Sequence, residues 1–323
     1  MLENNWHFSD RPELGAMNNA NSLLRSLDVG DPDALPNLRN ASTILIGSDY
    51  SGQHSTSLFE AFGFVFANLN ESQPWMAARK KIREKFMPDG RRFSYKTLGD
   101  RHRSVALPHF LRATDLLSGL LVVVLVHKEI ESLFKSSGKI LATDPEIYSL
   151  SHWAPHVVEK LLRVCHFVVF FLAGLSREDQ DVLWISDQDD IAANVDKHRE
   201  FVSTFGNIGS HYLSHTLRNL QIATTASDTG KRDVEDFVAI ADFAAGAVCE
   251  AMNAYHRIDM APVPGVILPI PNHIDEKALR LMHWFSDRRS SLKRLVIGFE
   301  PVVGTTHLRV RHYSFQGSHS VLI

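Results

Sequence analysis

Residues 119–127, GLLVVVLVH, form an uninterrupted apolar run rich in valine and leucine. A strand with one wet face alternates apolar and polar residues, so a run without alternation suits a strand covered on both faces. Covering both faces requires helices on each side of a sheet. At 323 residues the chain is long enough for that core, either as one large domain with extensions or as two small ones. Strands lie close together early in the chain, and later strands alternate with helices. The expectation is a three-layer α/β domain over about 41–258, a mixed sheet flanked by helices.

Residues 1–40 read as an N-terminal arm that could contact a partner, ended by the loop residues Asp31, Pro32, Asp33 and Pro36. The β-branched run 43–46 predicts a first strand, leading into Ser48-Asp49-Tyr50-Ser51-Gly52. Phe62, Phe64 and Phe66 alternate within 58–69, as in a strand paired with the first. Ser72 as N-cap and Pro74 in the first turn predict a helix to about 86. Further strands are expected at 91–98, 182–186 and 217–225, and helices at 105–118, 156–173, 196–213 and 235–256. The proline-rich stretch 260–271 marks a boundary, and 259–323 reads as a small α+β extension.

Several function classes drop out early. The net charge of −3 gives no global nucleic-acid signature, so such affinity must come from a local patch. Cys165 and Cys249, the only cysteines, lie in apolar stretches and read as core thiols, not a disulfide framework or zinc site. The first thirty residues have no apolar core of a secretory signal. Residues 119–126 are too few to span a bilayer, and charges interrupt 157–175. The protein is therefore expected to be cytoplasmic, with no membrane partner. There is no G-x-x-x-x-G-K-[ST] loop for an NTPase and no H-E-x-x-H for a zinc enzyme.

What remains is a pattern of acids. Asp242 sits mid-helix, with Val238, Ala239, Ala245 and Gly246 as its neighbours three and four residues away. It therefore shares a packed face. A buried carboxylate is normally paired or metal-bound; here the alternatives are an arginine partner and a metal. Asp187 ends a strand, where open α/β sheets place ligands. Asp189 and Asp190 read more simply as a solvated turn. Asp49 lies just past a strand core, where it forms either an Asx turn or part of a charged site. Convergence of Asp49, Asp187 and Asp242 at one sheet edge would suit Mg²⁺ or Mn²⁺, which prefer hard oxygen ligands. Paired ions of this kind serve phosphodiester cleavage.

The order of elements and acids resembles the ribonuclease H-like superfamily, and within it the "domain of unknown function 3800" family. That family's first strand ends in Asp-Glu-Ser-Gly, compared with Asp49-Tyr50-Ser51-Gly52 here. Its later strand ends in an Asp motif, matched by Ile185-Ser186-Asp187-Gln188-Asp189. Its last core helix carries Ile-Ala-Asp before small residues, matched by Ile240-Ala241-Asp242-Phe243-Ala244-Ala245-Gly246. The match covers about 41–258. It implies metal ligation by Asp49, Asp187 and Asp242, with Glu60 or Asp190 as a fourth ligand and Lys96 acting on the scissile phosphate. Where the family often has Glu-x-Lys, this chain keeps Lys96 but has Ser94 in place of the acid. Glu60 and Asp100 are the acids left to replace it.

Residues 79–103 hold ten basic residues against three acids, interleaved with Phe93 and Tyr95. Arg79, Lys80, Arg83, Arg91, Arg92, Arg101 and Arg103 are thus expected to neutralise phosphates, and Tyr95 to stack on unpaired bases. A solvated helix face is the plainer reading for 79–85 alone. Two functions fit: a metal-dependent nuclease, or a degenerate module of the same fold that binds nucleic acid or a partner protein without cutting.

Overall fold

The structure, a computed structural model, describes residues 4–10, 14–136, 139–140, 150–255, 265–302, 304–305 and 307–317. Its strands are β1 (Thr43–Ser51), β2 (Phe59–Asn68), β3 (Gly119–His127), β4 (Lys135–Ser136), β5 (Lys139–Ile140), β6 (Asp181–Ser186), β7 (Asn219–Thr224), β8 (Gly265–Pro269), β9 (Leu292–Pro301) and β10 (Leu308–Gln316). Its helices are α1 (Ala16–Gly30), α2 (Gln73–Phe86), α3 (Arg101–Thr114), α4 (Pro155–Leu175), α5 (Val195–Tyr212), α6 (Asp233–Tyr255) and α7 (Glu276–Phe285).

Eight strands form one mixed sheet in the order β7-β6-β1-β2-β3-β9-β10-β8, and β4 pairs with β5 separately. β1, β2 and β3 form an antiparallel meander. β6 runs parallel to β1, and β7 parallel to β6. On the far side β9 runs parallel to β3, so the C-terminal extension continues the same sheet. β3 is buried along its whole length.

Alternation along the strands separates the two cores. Ile44, Ile46, Phe62, Phe64, Phe66, Val122 and Val124 face α4 and α5, where Phe167, Phe171, Phe201 and Phe205 meet them. Leu45, Ala61, Val65, Leu121 and Val123 face α2, α3, α6 and α7. This is the three-layer α/β arrangement. α6 is long and apolar enough by composition to cross a membrane, but 83% of that window is buried inside the fold, as in a core helix.

The expected strand at 91–98 is instead a loop with a short 3-10 turn, Tyr95–Thr97. Its backbone groups are already engaged. Arg83 donates to the Arg91 carbonyl, Arg103 Nε donates to the Arg92 carbonyl at 2.7 Å, and Tyr95 N donates to Asp242 at 2.6 Å. Ser72 does precede α2, but its hydroxyl donates back to the Asn68 carbonyl at 2.8 Å instead of capping.

α6 lies almost directly on the strands. A Cβ at Gly63 would meet the Ala241 carbonyl oxygen at 2.4 Å. The start of α6 is tied to α2 by Asp236, which is fully buried and accepts from Arg79 Nη1 and Arg83 Nε at 2.8 Å each. Replacing Asp236 by alanine leaves the buried Arg83 without a carboxylate and the buried Arg79 with Asp233 alone. Chemical denaturation of Asp236→Ala is expected to show a loss of roughly 3–5 kcal/mol, the usual cost of removing one partner from a buried ion pair.

Candidate functional site

Strand register places Asp49 opposite Gly63. Because Gly63 lets the Ala241 carbonyl come close, the next helical residue, Asp242, is brought beside Asp49. Asp187 follows the last residue of β6, and its N–H donates to the Ser48 carbonyl at 3.0 Å. That bond holds Asp187 level with Asp49 at the C-terminal ends of two parallel strands. Asp49, Asp187 and Asp242 thus meet on the α6 face of the sheet, close enough to repel one another.

Each carboxylate has local support. Asp49 sits inside β1 and not in an Asx turn, and Tyr50 N donates to its Oδ1 at 2.7 Å. Thr225 Oγ1 donates to Asp187 Oδ1 at 2.7 Å, and Arg92 Nη2 forms an ion pair with the same oxygen. Asp242 takes the Tyr95 N–H. Burial, then repulsion from Asp242 and Asp187, raises Asp49 well above the carboxylate range. Burial is also the main reason that Asp242 rises from 3.8 to about 6; Asp187 raises it further, while the Tyr95 N–H, Arg92 and Lys96 pull it back. Two cations, Arg92 and Lys96, therefore stand against three carboxylates.

In charge and ligand type this donor set fits a hard divalent cation. In arrangement it is incomplete: among the described residues, no three His, Cys, Asp or Glu side chains are grouped as an ion would need. The Arg92 guanidinium instead takes up an oxygen of Asp187.

The other expected site residues separate. Glu60 projects to the opposite face of the sheet, where Arg163 Nη1 donates to it at 2.7 Å; its even position on β2 puts it with Phe62 and Phe64, away from Asp49. Asp190 and Asp189 both hold Lys160 Nζ at 2.6 Å, so Asp190 serves as an anchor for α4. Asp100 caps α3 by accepting from His102 N and Arg103 N. Lys96 is exposed beside Asp242.

Most of the expected phosphate-binding cations are engaged inside the protein. Arg79 and Arg83 are buried against Asp236, which corrects the solvated-face reading as well as the nucleic-acid one. Arg91 pairs with Asp89 and Asp100, Arg103 with Asp100, and Arg92 with Asp187. Tyr95 is no free stacking platform: its ring lies where a Cβ at Gly246 would be, at 2.4 Å, and its hydroxyl donates to Glu250 at 2.5 Å. Lys80 and Arg101 stay exposed.

Arg92 as counter-ion within the acid trio, and Thr225 as partner of Asp187, were not expected. Arg92 stood out only as one charge in a basic run, and Thr225 carried no signal at all. No family model matches the chain, and no curated protein matches it.

The raised Asp242 sets the direction of the pH response. Its folded pKa of about 6 lies above its ordinary 3.8, so between those values the folded state holds more protons than the unfolded. Stability is fully present below pH ~4 and falls as pH rises through about 6. Asp242→Asn keeps an acceptor for Tyr95 N and removes the charge. It is expected to be ~1–3 kcal/mol more stable than the parent at pH 7.5 without added metal, with the gap closing towards pH 4; melting curves across that range measure it.

Proposed function

We propose that the protein is a divalent-metal-dependent phosphodiesterase acting on nucleic acid, built on a ribonuclease H-like sheet. The convergence of Asp49, Asp187 and Asp242, two of them short of counter-charge, is the observation that carries this reading. The fold assignment draws support from the order β3-β2-β1-β6-β7, a three-strand meander followed by two strands parallel to β1. The acids come from β1, from the end of β6 and from α6.

In this reading Asp49, Asp187 and Asp242 hold Mg²⁺ or Mn²⁺. When bound, such an ion polarises a phosphoryl oxygen and makes water a better nucleophile. Lys96, exposed beside Asp242, offsets the charge that develops on the phosphate. Thr225 and the Ser48 carbonyl keep Asp187 oriented. Arg92 is 41% exposed at its side chain, on an irregular loop, and in this reading it turns from Asp187 towards a phosphate.

The Arg92–Asp187 pair also favours the second reading, a non-cutting module in which the guanidinium permanently replaces the ion. The two are separated by melting the protein with 0–5 mM Mn²⁺ and incubating it with single- and double-stranded DNA and RNA, with and without EDTA. The enzyme reading expects Mn²⁺ to raise the melting temperature of the parent, by up to ~3 kcal/mol of stability at a hundredfold excess over Kd. It also expects no such rise in an Asp187→Asn, Asp242→Asn double variant, and cleavage that EDTA abolishes. Unchanged melting and intact nucleic acid would leave only the binding module.

A further inference from the structure

We propose that the cleft between α2 and the first turns of α6 is a nucleobase subsite. It would receive one unpaired base of a strand whose phosphates run along the loop 90–96. The ligand class rests on the phosphodiesterase reading; the geometry of the cleft does not.

The cleft encloses about 740 Å³, within the range of small-molecule sites. Its floor is Leu45, Leu183 and Ile185, its walls are Met76 and Val234, and Phe237 lies behind. It exists because α6 lies mainly over β1 and β2 and only grazes β6. A flat heterocycle fits such a lining, since apolar side chains are good surfaces for an extruded base. Ile185, near the end of β6, precedes Asp187 by two residues, ~7 Å in extended chain. The floor of the cleft therefore stops at Ile185, two residues short of Asp187, with no member of the trio in its lining.

Charge around the opening selects a strand over a neutral apolar ligand. Lys80 and Lys231 are exposed at the rim. Of the acids there, Asp233 is paired with Arg79 and Glu84 is only 4.0 Å from Lys80. Arg232, paired with Glu235, and Arg92, paired with Asp187, continue from the rim towards the trio. Arg232 Nε donates to the Gly90 carbonyl at 2.9 Å, joining the start of α6 to the loop that carries Arg92 at Asp187 and Lys96 beside Asp242. Bases stacked inside a duplex cannot enter the cleft, so the subsite favours single strands.

The test uses the full chain in EDTA, so that binding is read without cleavage. Fluorescence anisotropy compares a labelled 12-nucleotide single strand, its duplex, and an abasic strand with the same phosphates. The single strand is expected to bind at least tenfold tighter than either. Val234→Trp, which fills the cleft, is expected to weaken the single strand about tenfold and leave the abasic strand unchanged; Met76→Trp repeats the test from the other wall should the first variant fail to fold. Charge reversal at Lys80 and Lys231 is expected to weaken all three and flatten the salt dependence. Equal binding of abasic and base-bearing strands, or no binding of either, overturns the proposal. So does an apolar dye bound in the cleft that the strand cannot displace, which would assign the cleft to a protein partner. Base-dependent binding without metal-dependent cleavage would leave the subsite standing and remove only the phosphodiesterase reading.

Discussion

The close approach of α6 to β2 is the contact on which the rest of the molecule depends. Gly63 offers no side chain where the Ala241 carbonyl comes down, so the helix rests on the strand backbone and not on a layer of side chains. That closeness sets Asp242 beside Asp49. A larger residue at position 63 would lift the helix and open the trio, because packed interiors have no slack to absorb an extra carbon. The same helix is fixed at its start by buried Asp236 between Arg79 and Arg83, and farther on by Tyr95 lying against Gly246.

Charge is distributed unevenly in this fold. Arg79 and Arg83 complete ion pairs that join α2 to α6, and Arg91 and Arg103 pair with Asp100 at the start of α3. Across the sheet, Arg163 of α4 pairs with Glu60 of β2 and with Glu159 one turn earlier on its own helix, and Lys160 holds Asp189 and Asp190. The trio is the exception, where burial gathers carboxylates faster than cations. Burying like charges together raises their proton affinity and costs stability, and function is a common reason for a fold to keep such a site. Arg92 reduces that cost without removing it.

Much of the scaffold was legible along the chain. The unbroken apolar run at 119–127, the alternating phenylalanines of 59–68 and the small-residue stripe around Asp242 each mark an element through its own periodicity. The 91–98 stretch misled, because its alternation of basic and aromatic residues resembles a strand. Its hydrogen-bonding groups are claimed by Arg83 and Arg103, 8 and 11 residues away, and by Asp242, 147 residues away. Asp49, Asp187 and Asp242 stood out one by one as acids where acids are costly. Glu60 was expected only as a stand-in for the acid that Ser94 replaces, and the parity of its position on β2 sends it to the other face.

Hydrophobic period and the cost of burying charge are local properties, so the chain alone carries the three-layer α/β plan, the buried central strands and the carboxylates worth following. Which charges meet is set by three-dimensional packing. Pairing of Arg92 with Asp187, burial of Arg79 and Arg83 on Asp236, and the position of the cleft beside Ile185 depend on strand register and helix placement. These couple residues some 95 to 160 positions apart, and no pattern along the chain encodes such distances.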